Sequence, residues 1–140
     1  MDNDNVIHVD FANRGRALKS DPQTLINSAN RLARGGEHQA ALSLYHRACL
    51  AEPERWEVHY NLGFCLYEMQ DFPSAIASLE RALLLAPDSG DVLMTLASAL
   101  WTAGKRHEAE THWRRYLDLE PRGKWASVAC RRLAQIQAIW

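Results

Sequence analysis

Hydrophobic and small residues in the central part of the chain, Trp56 to Ser89, recur at helical spacing. The first half contains a stripe spaced i, i+3, i+4 and i+7, formed by His59, Leu62, Gly63 and Leu66. The second half contains another stripe, formed by Ala75, Leu79 and Ala82. Pro87 then ends the second helix, because proline cannot continue the backbone hydrogen-bond ladder. The pattern predicts one helix-turn-helix unit with small residues where its two helices come close.

The same pattern recurs along the chain with one fixed period, which is the interval from Ala41 to Ala75. Four columns with this period lie in the second helices: Ala41, Ala75 and Ala109; Tyr45, Leu79 and Trp113; Ala48, Ala82 and Tyr116; Pro53, Pro87 and Pro121. Four more lie in the first helices: Leu25, His59 and Leu93; Ser28, Leu62 and Leu96; Ala29, Gly63 and Ala97; Leu32, Leu66 and Leu100. A fixed period of this length is typical of a helical repeat protein. It predicts three copies, with the bounds Pro22 to Arg55, Trp56 to Ser89 and Gly90 to Gly123.

The repeat resembles the tetratricopeptide repeat (TPR). The resemblance rests on a small residue at the eighth place, alanine at the twentieth, a large apolar residue at the twenty-fourth and proline at the thirty-second. It implies an all-α fold, a right-handed α-solenoid of helix-turn-helix repeats with about seven helices. Two residues depart from the pattern: Tyr116 replaces a small residue and Ser28 an apolar one, so we expect the outer repeats to pack less regularly than the central one.

The predicted repeat domain covers residues 21–140. We expect helices over residues 22–34, 38–51, 54–69, 73–85, 88–103, 105–119 and 124–139. The last of these, within residues 124–140, is a capping helix whose apolar stripe covers the end of the stack: Ala126, Ala129, Cys130, Leu133, Ile136 and Trp140. From Met1 and this cap we expect a complete small protein, with a regulatory domain of a larger protein as the alternative.

Residues 1–20 contain few helix signals, and we expect a flexible N-terminal arm there. One apolar cluster, Val6, Ile7, Val9 and Phe11, leaves an alternative open. In that alternative, Val6, Ile7 and Phe11 dock on the repeat surface of the same chain or of a neighbouring molecule.

The net charge of −1 conceals an asymmetry along the chain. Residues 105–132 hold eight cations and four anions, which is +4, so the remainder carries −5. These cations are interleaved with anions and the segment lacks an aromatic stacking pattern, so we do not expect nucleic-acid binding. No apolar run approaches the ~20 residues of a membrane span. The odd, widely spaced cysteines Cys49, Cys65 and Cys130 indicate reduced, semi-buried thiols and a cytoplasmic protein.

A second stripe on the first helix of each repeat carries the functional prediction. It lies one residue after the core stripe and comprises Ile26, Asn30 and Ala33; Tyr60, Phe64 and Tyr67; Met94, Ser98 and Trp101. The TPR resemblance implies that this face lines a concave groove that binds peptides or partner helices. The alternative is that some of Tyr60, Phe64, Tyr67, Met94 and Trp101 pack against the first helix of the adjacent repeat or against the N-terminal arm. The predicted partner-binding residues are Ile26, Asn30, Glu57, Tyr60, Asn61, Phe64, Tyr67, Met94, Ser98 and Trp101.

TPR domains that hold the C-terminal carboxylate of heat-shock chaperones need cations on this face together with asparagines. Asn30 and Asn61 match the asparagine places, but Ile26, Asp91 and Thr95 occupy the basic places, so the carboxylate clamp is not expected. In size and in its apolar groove the chain is more similar to bacterial chaperones of type III secretion translocators, or to assembly factors that hold a subunit.

The sequence does not predict an enzyme, a cofactor or a metal site. The segment from His107 to His112 has two histidines at i and i+5, which lie about 140° apart on a helix and do not share a metal. His59 occupies a core column, where we expect a histidine bonded to a neighbouring hydroxyl or carbonyl. The chain has no glycine-rich phosphate loop, no serine elbow and no paired cysteine motif.

Two functional hypotheses follow. The first is an adaptor or chaperone-like assembly factor that binds a segment of a client protein in an apolar and aromatic groove. The second is a structural scaffold, in which chains self-associate weakly by stacking their oppositely charged regions, with Trp125 and Trp140 at the contact.

Overall fold

The computed structural model describes residues 21–138, and the expectations about residues 1–20 and about Trp140 lie outside them. Within the described range the chain forms seven α-helices and no strand: α1 Pro22–Arg34, α2 His38–Ala51, α3 Trp56–Glu68, α4 Phe72–Leu85, α5 Gly90–Thr102, α6 Arg106–Leu119 and α7 Ala126–Ala138. Each helix begins and ends within two residues of its expected bounds. The predicted all-α, TPR-like fold class is confirmed.

The chain divides into two compact units, the first ending at Glu54 and the second beginning at Arg55. The first unit contains the hairpin of α1 and α2, and its buried residues are Leu25, Ile26, Ala29, Ala41, Tyr45 and Ala48. The second unit contains α3 to α7, and the largest fully buried residues of its core include Leu79, Leu93, Leu96, Leu100, Trp113 and Tyr116. Apart from Ile26, all of these residues belong to the periodic columns of the sequence.

Short polar side chains begin three of the helices. Asp21 accepts a hydrogen bond from the Thr24 backbone N–H, with proline at the next position. Asp71 and Ser89 cap α4 and α5 in the same way, each accepting from the backbone N–H three residues later at 3.4 Å. A side-chain oxygen here satisfies a backbone donor that has no partner inside the helix.

The turns inside the three hairpins share one geometry. Gly36, Gln70 and Gly104, which occupy the same place in the three repeats, have φ values of 84°, 65° and 85°. The residue after each of them donates its N–H to a carbonyl five residues back, which is the hydrogen bond of a Schellman motif. Glycine adopts positive φ without steric cost, whereas Gln70 does not.

The close approach of α3 and α4 depends on Gly63. A Cβ at this position would lie 2.7 Å from Leu79 Cγ and 3.2 Å from the Ala75 carbonyl oxygen. Leu79 is fully buried, so it has no room to move away. The two helices of the central hairpin therefore pack with main chain against side chain, as the small-residue column predicts.

The last helix, α7, packs on α6 and buries Ala129 and Ile136. Cys130, which the sequence placed on the same apolar stripe, is exposed. Its neighbour Ala129 is fully buried, and adjacent helical residues point about 100° apart. The predicted apolar stripe was therefore wrong to include Cys130.

Replacing Gln70 by glycine should stabilise the protein. The substitution removes a left-handed conformation that costs an L-residue roughly 1–2 kcal/mol, offset in part by the entropy of glycine. We expect a net gain of about 0.5–1 kcal/mol in the free energy of unfolding, measured by urea denaturation. The matched control is Gly104→Ala at the equivalent turn, which should destabilise. Equal or lower stability of Gln70→Gly would contradict the role assigned to this turn.

Candidate functional site

A row of aromatic rings runs along α3 and onto the start of α4. Ring centroids are 6.1 Å apart for Trp56 and Tyr60, 6.3 Å for Tyr60 and Phe64, and 6.5 Å for Phe64 and Tyr67. Tyr67 then meets Phe72 edge to face at 5.7 Å. The α3 residues are spaced by three or four positions, which keeps all four rings on one side of the helix. Rings at these separations attract one another and form a continuous apolar strip.

The strip borders a cavity of about 210 Å³ within the second unit. Its lining residues come from α3, α5 and the start of α7: Tyr60, Phe64, Tyr67, Asp91, Met94, Thr95, Ser98, Trp125 and Val128. Tyr60 and Tyr67 pack against the core, whereas Phe64 is 42% exposed and Trp125 is 39% exposed. Two large rings that line the same cavity, one on α3 and one at the start of α7, therefore reach water.

The polar groups around the cavity mostly have partners of their own. The Tyr60 hydroxyl lies 3.4 Å from Thr95 Oγ1 and joins α3 to α5. Ser98 Oγ donates to the Met94 carbonyl oxygen at 2.9 Å. At one edge Asp91 pairs with Lys124 at 3.3 Å, and the same ammonium lies 5.3 Å from the centre of the Trp125 ring. The cavity therefore has an apolar wall and, at its rim, one ion pair whose two charges cancel.

Tyr116 positions the turn that carries Trp125. Its hydroxyl accepts the Trp125 backbone N–H at 3.0 Å. The ring is fully buried, and burial raises the pKa of the Tyr116 phenol above its ordinary value, while the hydrogen bond from the Trp125 backbone N–H acts in the opposite direction. A Cβ at Gly123 would overlap that hydroxyl, so glycine is required for the turn to pass over it. Tyr116, which replaces the small residue of the repeat pattern, is therefore fully buried.

Trp101 lies outside the cavity, in a separate cluster at the far end of α5. Its ring centroid is 5.6 Å from that of the buried Trp113. The Arg106 guanidinium carbon lies 4.7 Å from the Trp101 ring centre, and that of Arg132 lies 5.3 Å from it. We call Trp101, Arg106 and Arg132 the Arg-Trp-Arg cluster.

The structure brings together five of the predicted partner-binding residues around the cavity: Tyr60, Phe64, Tyr67, Met94 and Ser98. Met94 is only 6% exposed, because its long side chain turns from the stripe into the core. Glu57 lies apart from the cavity lining and pairs with Arg55 at 3.8 Å, and Asn61 is half-buried. The binding role of these residues stays a prediction.

Ile26 and Asn30, in the first unit, do not form an open surface. Ile26 is 4% exposed and belongs to the buried residues of that unit. Asn30 accepts a hydrogen bond from the Tyr45 hydroxyl across the α1–α2 hairpin. Ile26 is therefore less accessible than the stripe predicts, because a stripe adjacent to the core stripe can itself be buried, and the binding role of both residues stays a prediction.

Sequence reasoning missed part of the site. Thr95, Trp125 and Val128 line the cavity, and Trp56 and Phe72 extend the aromatic row. A signal existed for Trp56, which precedes Tyr60 by one helical turn. No signal existed for Trp125 and Val128, since only tertiary packing brings the start of α7 beside α3.

A second groove, of about 550 Å³, lies between α4, α5 and α6. Its lining combines four apolar residues with polar ones: Leu83, Leu84, Pro87 and Leu96, with Glu80, Thr111, His112 and Arg115. Burial lowers the pKa of His112, while the charges of Glu80 and Glu108 act in the opposite direction. His107, five residues earlier, is exposed and lies 4.0 Å from Glu110.

The remaining candidate chemistry is sparse. Residues 21–138 contain no group of three or more potential metal ligands, and no helix among them has the length and hydropathy of a membrane span. All three cysteines fall in this range as thiols: Cys65 is buried, Cys49 is half-buried and Cys130 is exposed. Burial raises the pKa of Cys49 and Cys65, so both thiols are protonated and unreactive near neutral pH.

Helical hairpins in tandem, with small residues at each helix crossing, define a helical repeat protein. The family model for the tetratricopeptide repeat matches residues 32–89 and 66–129, and the chain belongs to this family. TPR domains are typically non-enzymatic scaffolds for protein interactions.

Among characterised proteins, the chain is similar to a BBSome complex member BBS4 homolog of Drosophila melanogaster, with 31% identity over 94 residues. The match covers 67% of this chain and only 19% of that protein. A solved structure of the first TPR of Spaghetti (RPAP3), bound to an HSP90 peptide, has a TM-score of 0.79 at 21% identity, covering 86% of this chain and 95% of that one. The Yersinia enterocolitica type III secretion translocator chaperone SycD has a TM-score of 0.73 at 19% identity, covering 84% and 90%. These structural likenesses establish the fold.

Replacing Tyr116 by phenylalanine should loosen the turn that carries Trp125. The substitution leaves the Trp125 N–H without its acceptor and should cost about 1 kcal/mol of unfolding free energy. We expect faster hydrogen exchange at the Trp125 amide, measured by NMR. The control is Tyr67→Phe, since the Tyr67 hydroxyl makes no hydrogen bond within residues 21–138.

The raised pKa of Tyr116 also gives a sign for the pH dependence. A phenol that holds its proton more tightly when folded contributes stability below its unfolded pKa of about 10, and that stability is lost as pH rises through the folded pKa. The wild type should therefore lose more stability than Tyr116→Phe above about pH 10. Unchanged Trp125 exchange together with identical pH profiles would contradict this role.

Proposed function

We propose that this chain is a non-enzymatic protein-interaction module, an adaptor or chaperone-like assembly factor, that holds a segment of a client protein in the cavity beside α3. One observation carries the proposal: the aromatic row is open to water at Phe64, beside a cavity that the exposed Trp125 also lines. Aromatic residues are enriched at interfaces, where buried rings supply much of the binding energy. An apolar surface of this kind is stabilised when a partner covers it.

The size of the cavity favours a side chain of a partner over a small-molecule ligand. Its volume of about 210 Å³ lies below the ~300–1,000 Å³ that is usual for small-molecule and cofactor sites. The flat aromatic row next to it can support neighbouring side chains of the same segment. The expected mode is therefore a helix or extended strand of the client with one apolar anchor in the cavity and others on the row.

The relatives support a protein partner without identifying it. The RPAP3 structure holds an HSP90 peptide, SycD is a secretion chaperone, and the BBS4 homolog is a member of a complex. The heat-shock carboxylate clamp does not form part of our proposal. Ile26 is buried, Asn30 is bonded to Tyr45, and Asp91 brings a negative charge that, among residues 21–138, pairs with Lys124 alone.

The proposal includes a cytoplasmic location and no cofactor. Cys49, Cys65 and Cys130 are free of disulfides, which supports a reducing compartment, in which free thiols persist. Binding, not catalysis, is the expected activity, because the two hydroxyls of the cavity lining bond elsewhere than to a base. Thr95 Oγ1 lies against the Tyr60 hydroxyl, Ser98 Oγ donates to the Met94 carbonyl oxygen, and the Asp91 carboxylate pairs with Lys124.

Replacing Phe64 by alanine should weaken client binding without unfolding the protein. Phe64 is the most exposed ring of the row, so its loss removes contact area while the core keeps its packing. Peptides selected by phage display on the wild-type protein should lose about 2 kcal/mol, or roughly thirtyfold in Kd, on Phe64→Ala. Fluorescence anisotropy with one labelled selected peptide measures the difference.

The matched control is Leu119→Ala. Leu119 is 39% exposed, close to the value of Phe64, but it lies outside the cavity lining. Peptide affinity should survive this change, and circular dichroism should report the same helical signal for both variants. The proposal would be overturned if selection yields no binding peptide, or if both variants bind the selected peptide as tightly as the wild type.

The charge asymmetry favours the second candidate function, weak self-association of the chain. Within the positively charged region, residues 105–132, two cations already have carboxylate partners: Arg115 pairs with Asp88 at 2.6 Å and Arg114 with Glu110 at 2.8 Å. The remaining cations of that region would make the contact, so we expect the association to be weak. If the oppositely charged regions stack, the mass measured by light scattering should rise at low salt and fall towards the monomer as the Debye length shortens. A monomer at every ionic strength would remove this hypothesis.

A further inference from the structure

The Arg-Trp-Arg cluster continues the cavity in one direction. Ser98 on α5 and Val128 on α7 line the cavity. Trp101 and Arg132 follow them by three and four residues on the same two helices, which is one helical turn. A client segment that extends past Ser98 and Val128 therefore reaches the cluster next.

The two arginines of the cluster lack an acidic partner within residues 21–138. Both guanidiniums lie over the Trp101 ring, and Arg132 donates only to Gln135 Oε1, at 3.1 Å. Among the other cations of the second unit, Arg114, Arg115 and Lys124 each pair with a carboxylate. Within residues 21–138, Lys105, Arg122 and Arg131 also lack a carboxylate partner, but they do not lie over an aromatic ring, so the cluster differs from them by its indole. A guanidinium has five N–H donors, so stacking on an indole leaves donors available for an anion.

We infer that the Arg-Trp-Arg cluster is a specificity subsite for acidic residues of the client. The client segment places an apolar anchor in the cavity and one or more aspartates or glutamates, about one helical turn further on, against Arg106 and Arg132. This inference rests on the proposed function. It adds the sign of the charge on the client segment and the end of the segment that carries this charge. The opposite rim carries the neutralised Asp91–Lys124 pair, so only one end of the segment is selected for charge.

The geometry favours an acidic protein segment over a nucleic acid. Single-stranded nucleic acids are held by bases stacked on aromatic faces as well as by cations. The Trp101 ring already contacts the Trp113 indole and two guanidiniums, and the side chain is only partly exposed. Carboxylates can pair with guanidiniums edge-on without displacing these contacts.

The subsite also differs from the heat-shock carboxylate clamp. That clamp would use the positions of Ile26, Asn30, Asp91 and Thr95, on the first helices of the repeats. The cluster takes Arg106 from the first position of α6 and Arg132 from α7, beyond the three repeats. The cluster therefore uses other positions than the clamp does.

The test uses one peptide selected by phage display on the wild-type protein, resynthesised with triglutamate, triglutamine or trilysine tails at either end. We expect the triglutamate peptide to bind about tenfold more tightly than the triglutamine peptide when the tail is at one end, and equally at the other. Arg106→Gln with Arg132→Gln should remove this preference and leave the affinity for the triglutamine peptide unchanged. About 0.5 M NaCl should reduce the preference.

The matched control is Arg122→Gln with Arg131→Gln, which removes the same two charges from exposed positions outside the cluster. It should keep most of the preference. A second arm titrates acetyl-hexaglutamate amide and follows the Trp101 indole resonance by NMR, which is assigned with Trp101→Phe. This titration measures anion binding at the cluster with a ligand that has no apolar anchor.

The outcomes separate the two proposals. Loss of peptide binding altogether, with the Trp101 resonance still shifted by hexaglutamate, overturns the proposed function and retains the anionic subsite. Peptides that bind without preferring the acidic tail, or a preference lost equally in the control variant, overturn the subsite alone. Tighter binding of an oligothymidylate than of hexaglutamate, with loss in the cluster variant, also overturns it, because the site would then serve nucleic acid.

Discussion

The contact between Gly63 and Leu79 constrains the rest of the second unit. Two helices come this close only where one of them contributes main chain and no side chain, and a Cβ at Gly63 would overlap the buried leucine. The contact fixes which sides of α3 and α4 face each other. Every other residue of α3 is then assigned by its angle from Gly63: Leu62 and Leu66 to the core, and Phe64 to the outer face beside it.

The cavity follows from this assignment. With one side of α3 committed to α4, its aromatic side turns towards α5 and the start of α7, where Thr95 and Val128 complete the lining. The same rings serve two purposes, since Tyr60 and Tyr67 support the core while Phe64 remains open to water. The packed and the exposed rings are thus neighbours on one helix, and the exposed ring is supported by the core behind it.

The repeat period made the fold predictable, because every helix start, turn and crossing of one repeat recurs at the same place in the next. The site was predictable only in part. Tyr60, Phe64 and Tyr67 share a face that helical spacing alone defines, whereas the positions of Trp125 and Val128 depend on how α7 docks. Ile26 and Met94 are more buried than their stripe predicts for a related reason: periodicity gives the angle of a side chain but not the distance to the neighbouring helix that buries it. Trp101 lay on the predicted face, yet its partners Arg106 and Arg132 come from later elements.

Tyr116 has a consequence for how freely such units can be exchanged. In an averaged repeat its place holds a small residue, and here the phenol passes beneath Gly123 to hold the main chain of Trp125. One wall of the cavity therefore depends on a residue of α6, a helix that does not itself line the cavity. Exchanging whole repeats between relatives would therefore preserve the helical scaffold of this protein. It would also remove the support of the cavity wall that Trp125 forms.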